Sequence, residues 1–165
     1  MRLVVADTSP IRYLIQIGHI DLLPRLFEKI FIPSVVAEEL RHPSAPPMVQ
    51  NWMKQPPNWL EVSATSENVD DPALGALDSG EREAIVLGLL LKADLILIDD
   101  RKGAAVAMNK GFEVTGTLGV LDLAAGRGLL DLAAALELLK RTNFRYPPEL
   151  FDVLLKKHAN RGGHT

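Results

Sequence analysis

The sequence predicts an α/β fold in which helices cover both faces of a mainly parallel central sheet of four to five strands, a three-layer α/β/α arrangement. Three observations carry this. Leu3-Val4-Val5-Ala6 and Leu95-Ile96-Leu97-Ile98 are unbroken apolar runs, the pattern of strands buried on both faces. Strand-like runs alternate with helical patterns along the chain, the signature of a parallel sheet covered on both sides. No internal repeat or low-complexity tract points to a solenoid or a disordered chain.

Taken in order, the first strand runs straight into Asp7, and Ser9-Pro10 reads as the cap and first position of a helix. That helix turns Ile11, Leu14, Ile15 and Ile17 to one side. Asp21 to Glu28 reads as a short second helix, and Lys29 to Pro33 as a second strand. Ser34 caps a helix through Leu40, with Val35, Val36 and Leu40 inward. Pro43, Pro46 and Pro47 then interrupt regular structure, and Met48 to Lys54 forms one short helix. Trp59 to Val62 reads as an edge or accessory strand, with Trp52 and Trp59 packing this insertion onto the body. Ala64 to Ala76 is polar and reads as a loop. Asp78 to Lys92 is the clearest helix. Arg101 to Lys110 is helical and closed by Gly111, and Phe112 to Thr115 is a further strand. Thr117 starts a helix that fades near Gly126-Arg127-Gly128, and Asp131 caps another through Lys140. Pro147-Pro148 opens a last helix ending near His158, followed by a frayed tail from Arg161 to Thr165.

The length of 165 residues fits one domain with a proper core. No apolar run reaches the roughly 20 residues that span a bilayer, and Met1-Arg2 leads into a strand with no signal-peptide pattern. Cytoplasmic residence without membrane contact is the expectation. There is no cysteine, which excludes disulfides, zinc-thiolate sites and thiol chemistry. A net charge of −3 argues against a protein that coats duplexes. The C-terminal stretch is nevertheless basic, with Lys140, Arg141, Arg145, Lys156, Lys157 and Arg161 against Glu149 and Asp152. That reads first as a solvated face and second as a surface for a polyanion.

The chemistry lies in carboxylates. Asp7 and the pair Asp99-Asp100 end the two doubly buried strands, at the rim where α/β sheets bind ligands. Glu38 and Glu39 lie on the helix leaving Pro33, while Asp78, Glu81 and Glu83 open the clearest helix. Each has a structural alternative. Asp78-Ser79-Gly80-Glu81 fits a capping box, and Asp7, Asp99 or Asp100 can cap the helix that follows. Four separate acids aimed at one sheet edge are harder to explain that way. Two such charges at ~4 Å cost about 4 kcal/mol at an effective dielectric near 20, so some stay protonated or a cation balances them. Oxygen ligands without a spaced histidine partner point to Mg²⁺ or Mn²⁺ rather than zinc, because His19, His42, His158 and His164 show no ligand spacing. Such an ion suits hydrolysis of a phosphodiester or phosphomonoester. No P-loop, dinucleotide fingerprint or Gly-x-Ser-x-Gly elbow competes.

These residues resemble the PIN-domain family of metal-dependent ribonucleases. The matching pieces are Val4-Val5-Ala6-Asp7-Thr8-Ser9 and Ile32-Pro33-Ser34-Val35-Val36-Ala37-Glu38-Glu39-Leu40. They continue with Gly80-Glu81-Arg82-Glu83-Ala84-Ile85 and Leu97-Ile98-Asp99-Asp100-Arg101, in order through Thr115. The stretch Gly116-Thr117-Leu118-Gly119-Val120-Leu121 is similar to a bacterial and archaeal PIN-like subfamily. The resemblance implies one domain over residues 1–165, with the acidic site in 1–115 and a helical extension over 116–165. It implies that Asp7, Glu39, Glu81 and Asp100 act in catalysis and hold Mg²⁺ or Mn²⁺, with Asp99 as the alternative to Asp100. Ser9, or else Thr8, supports the pocket by hydrogen bonding. Asp78 is an additional candidate, and Glu83 competes with Glu81 for the third place. Arg12, Arg101 and Lys102 are candidates to guide single-stranded or structured RNA, and Arg82 is a weaker one. Relatives in the VapC group are toxins, which implies a small antitoxin as partner. The rival expectations are a non-catalytic RNA- or protein-binding module, and a phosphatase or structure-specific DNA nuclease. Leu129 to Leu139 is apolar on more than one side and can serve as core or as the seam of a homodimer.

Overall fold

The computed structural model describes residues 2–65 and 70–162. Five strands form one parallel sheet: β1 (Val4–Ala6), β2 (Ile30–Pro33), β3 (Leu60–Ser63), β4 (Leu95–Leu97) and β5 (Glu113–Thr115), in the order β3-β2-β1-β4-β5. The chain lays down β1, β2 and β3 outward in one direction. It then returns to the other side of β1 for β4 and β5. The order therefore reverses between β1 and β4, and a crevice opens at their carboxyl ends. Register fixes what meets there: Ala6 stands opposite Leu97, and the Asp7 amide donates to the Leu97 carbonyl at 2.9 Å.

β1 and β4 are fully buried, as their apolar runs require. Ile85, Val86, Ile96, Ile98 and Ala107 pack with Leu74 and Leu77 in one core cluster. Val5, Ala84 and Leu87 form a second. β3 takes the edge, with Glu61 and Val62 exposed. Trp52 and Trp59 pack on each other at 5.8 Å between centroids.

The helices of this unit are α1 (Thr8–Gln16), α2 (Leu22–Phe27), α3 (Ser34–Arg41), α4 (Pro47–Trp52), α5 (Pro72–Gly75), α6 (Ser79–Leu91) and α7 (Arg101–Asn109). Three local expectations change. Ser34 does not cap α3 but is its first residue, because Pro33, in extended backbone, occupies the N-cap position. Helix α1 starts earlier than Ser9-Pro10 suggests, because Asp7, in extended backbone, occupies the N-cap position. Pro10 is tolerated there because the first turn has no intrahelical partners for its amides. The polar stretch Ala64 to Ala76 contains one helical turn, α5, begun by Asp71, whose side chain accepts from the Ala73 amide at 2.9 Å. Residues 66–69 of that stretch lie outside the described residues.

The chain divides into two compact units, Met1–Thr117 and Leu118–Thr165. The second holds most of α8 (Thr117–Gly126), with α9 (Leu132–Lys140) and α10 (Pro148–Gly162). Asp131 caps α9 by accepting from the Ala134 amide. Leu132, Ala135, Leu136 and Leu139 of α9 are buried, while Leu138 is exposed. Helix α10 continues past His158 to Gly162, so regular structure enters the stretch expected to be frayed. The Arg161 side chain and residues 163–165 lie outside what is described. Two of the basic residues there are already paired, Lys140 with Glu137 and Lys157 with Asp122. Among the described residues no helix is long and apolar enough to cross a membrane.

Candidate active site

Asp7 leaves β1 at the crevice and is 6% exposed. Although it stands at the N-cap of α1, its side chain makes no capping hydrogen bond. The helix start therefore does not account for its carboxylate. Burial pushes its pKa up to about 7; a hydrogen bond from the Thr8 amide opposes this, and the nearby Asp78, Glu39 and Asp99 charges add to the rise.

Glu39 arrives from α3, whose start is set by Pro33 at the end of β2. Of the two consecutive glutamates, Glu38 is exposed and Glu39 is half-buried, turned to the rim. The Thr8 hydroxyl donates to Glu39 Oε2. Ser9 is the residue the sequence favours for supporting the pocket, with Thr8 as the alternative; the hydrogen bond to Glu39 comes from Thr8. The reason is helical phase: α1 begins at Thr8, so the first hydroxyl faces α3.

Gly80, in the first turn of α6, shows how tightly these acids approach. A Cβ placed on it would lie 2.9 Å from Glu39 Oε1 and 3.0 Å from both Asp7 Oδ1 and Glu39 Oε2. Both carboxylates thus lie against one point, and only a residue without a side chain fits there. Sequence reasoning missed Gly80 as a site residue. The available signal was a residue without a side chain between two acids in Asp78-Ser79-Gly80-Glu81.

Asp78 caps α6, accepting from the Glu81 amide at 2.9 Å. That is the first half of the capping box the spacing suggests. The Glu81 side chain turns instead toward the rim, with its Cγ 3.6 Å from where a Cβ on Gly103 would lie. Its pKa is pushed up to about 8, by burial first, then by the adjacent Asp78 carboxyl and the Asp100 and Asp7 charges. Glu83 is engaged elsewhere: it accepts from the Thr65 hydroxyl and lies 3.8 Å from the Arg82 guanidinium.

The two acids after β4 carry local structural duties. Asp99 accepts from the Thr117 amide at 2.6 Å and from its hydroxyl at 2.7 Å, one bond to each oxygen. Burial raises its pKa and the two Thr117 bonds oppose that. Gly116 permits the approach, since a Cβ there would fall 2.5 Å from Asp99 Oδ1. Asp100 is exposed and caps α7 through the Gly103 amide at 2.9 Å.

Among the candidate cations, Arg101 and Lys102 are exposed in the first turn of α7. Arg12 is half-buried and lines a cleft with Thr8, Glu38 and Glu39. Arg82 is half-buried beside Glu83.

Among the described residues no group of three or more His, Cys, Asp or Glu side chains is placed so that it could hold a metal ion. The donor types present nevertheless fit a hard divalent cation. The donors are carboxylate and hydroxyl oxygens, two carboxylates meet at Gly80, and burial and neighbouring acids penalise the charge of Asp7. In the comparisons, no curated protein and no solved structure matches the chain. The family model DUF3368, described as a PIN domain, matches residues 3–160. PIN domains are generally nucleases that use divalent metals, and the five-stranded parallel sheet with its helices is consistent with that fold. The chain belongs to the PIN-domain family.

Proposed function

We propose that this chain is a divalent-metal-dependent endoribonuclease, hydrolysing RNA phosphodiesters at the crevice between β1 and β4. The observation that carries the reading is the uncapped, buried Asp7 carboxylate set against Glu39 at Gly80. Asp7 and Glu39 would hold Mg²⁺ or Mn²⁺, with Glu81 and Asp100 completing the set. When bound, such an ion supplies a Lewis acid for a phosphate oxygen and lowers the pKa of water.

The remaining work falls to the chain itself. Thr8 fixes the rotamer of Glu39 through its hydroxyl. Glu81 keeps a proton on its carboxyl up to about pH 8 when no cation is near, so ligation requires that proton to leave. Arg101 and Lys102, at the first turn of α7, offer phosphate contacts along the rim. Asp99 acts through Thr117 as a positioning residue.

The test is Mn²⁺-dependent cleavage of single-stranded RNA, with flapped DNA and nitrophenyl phosphate as competing substrates. Asp7→Asn is expected to abolish cleavage with the fold retained; parental cleavage by that variant overturns the assignment. By the same family resemblance, we place the chain as the toxin of a type II pair, with a small antitoxin protein as partner. Growth arrest on expression, relieved by the product of a neighbouring reading frame, tests that.

One observation favours a second reading, a non-catalytic RNA- or protein-binding module. Asp78, Asp99 and Asp100 each have oxygens occupied by helix amides. That reading predicts RNA retention unaffected by chelator and no calorimetric response to Mn²⁺.

A further inference from the structure

We propose that the cleft between α1 and the α3–α4 connection is a guanine-reading subsite, which takes the base of the nucleotide next to the bond cut at the acidic rim. It rests on the ribonuclease reading above. The cleft has a volume of about 470 Å³, within the usual range for small-ligand sites. It shares Thr8 and Glu39 with the acidic rim, so a base held here leaves its phosphate beside Asp7.

The lining decides what fits. Half-buried Val35 and Ala45 supply an apolar wall, backed by the buried Leu40 and Val49, suited to the face of a base. Arg12 supplies donors. Its guanidinium lies over the Tyr13 ring at 5.5 Å, and among the described residues no carboxylate stands within ion-pair distance of it. Its Nε is buried with no acceptor, an arrangement that costs stability unless something fills it. His42 supplies another donor. Its Nδ1 accepts from the Ser44 amide at 3.0 Å, and Ser44 Oγ lies 2.7 Å from the same nitrogen. The ring hydrogen is therefore placed on Nε2. The loop carrying His42 and Ser44 is pinned by Gln50, whose Nε2 donates to the carbonyls of Ala45 at 2.6 Å and Pro43 at 3.2 Å. The donors are thus set before a ligand arrives.

Glu38 and Glu39 line the same cleft, and like charge argues against a phosphate as occupant. A base that presents acceptors on one edge and donors on the next satisfies both sets. Guanine does so: N7 and O6 accept, which suits an arginine, and its N1–H and 2-amino group donate, which suits a carboxylate such as Glu38.

Equilibrium binding to the full chain tests this, with chelator present and the four nucleoside 5′-monophosphates and inosine monophosphate as probes. Guanosine monophosphate is expected to bind about tenfold or more tighter than the adenosine, cytidine and uridine nucleotides. Arg12→Ala should erase that preference. Glu38→Gln, at an exposed position, should narrow the gap between guanosine and inosine nucleotides, because a neutral amide oxygen accepts more weakly from the 2-amino group that only the former carries. Equal affinity for all four nucleotides, no binding at millimolar concentration, or a guanine preference that survives Glu38→Gln and a folded Arg12→Ala would overturn the proposal. The readout needs no hydrolysis. Guanine selectivity in a protein that cuts no RNA would defeat the ribonuclease reading alone, and RNA cleavage without guanine selectivity would defeat the subsite alone.

Discussion

The two buried strands at the centre of the sheet both end in aspartate, and the fold treats those ends differently. After β4, the chain makes use of its acids: Asp99 holds the start of α8 through Thr117, and Asp100 caps α7. After β1, Asp7 stands at a helix start yet makes no cap. It is the more buried of the three and shares its point of approach with Glu39. An acid whose oxygens are satisfied by amides is explained by the helix it begins. An acid left buried among like charges is explained by a cation that is to come. Position at the rim alone does not separate these cases; the missing cap and the burial do.

Asp7→Asn is expected to have the largest effect. Losing a direct ligand should reduce Mn²⁺-dependent cleavage by more than the ~100-fold seen for outer-shell losses. The same change should stabilise the metal-free protein. Asp7 has a pKa of about 7 in the folded chain against an ordinary 3.8, so the folded state binds the proton more tightly. The contribution of Asp7 to stability is then greatest below pH 4, falls as pH rises through the interval to 7, and is level above it, a loss of a few kcal/mol. Glu81 adds a slope of the same sign that extends to about pH 8. Denaturant titrations across this range should show the loss in the parent and less of it in Asp7→Asn. If the two slopes agree, the contrast between the strand ends disappears.

Gly80→Ala comes next. Its methyl would meet Asp7 and Glu39 at 2.9–3.0 Å, so the carboxylates must separate. A loss of Mn²⁺ affinity of about tenfold by calorimetry is expected, although alanine favours the helix by about 1 kcal/mol. Unchanged affinity would show that the acids do not act from that point.

Thr117→Val addresses the other strand end. It removes one bond to Asp99 in a fully buried place and should cost about 1–3 kcal/mol of stability, with Mn²⁺ affinity unchanged. A drop in affinity instead would move Asp99 into the ion site. Glu83→Gln should be smallest, within about 0.5 kcal/mol in stability and silent in metal titration, because Thr65 and Arg82 hold that side chain.

Much of this was legible in the residues. Unbroken apolar runs identify β1 and β4, and short polar spacers locate the caps at Asp78 and Asp131. The parallel order follows from alternation of strands and helices. What escaped depends on distances between segments far apart in the chain. Asp7 and Ser9-Pro10 both signal a helix start, and which one prevails sets whether Thr8 or Ser9 faces Glu39. Asp99 reads as a cap for the next helix or as an alternative to Asp100 until β5 and the start of α8 are laid beside β4, which brings Thr117 to it. Gly80 carries no side chain to draw notice, and its role exists only where β1, α3 and α6 converge.

The protonation of Asp7 itself is the most direct test. A carbon-detected NMR titration of its carboxyl in the metal-free protein should give a midpoint near 7, falling back toward the ordinary carboxylate value when Mg²⁺ is added. A midpoint near 4 that does not move with Mg²⁺ would contradict the account, because Asp7 would then carry its charge with no need of a cation.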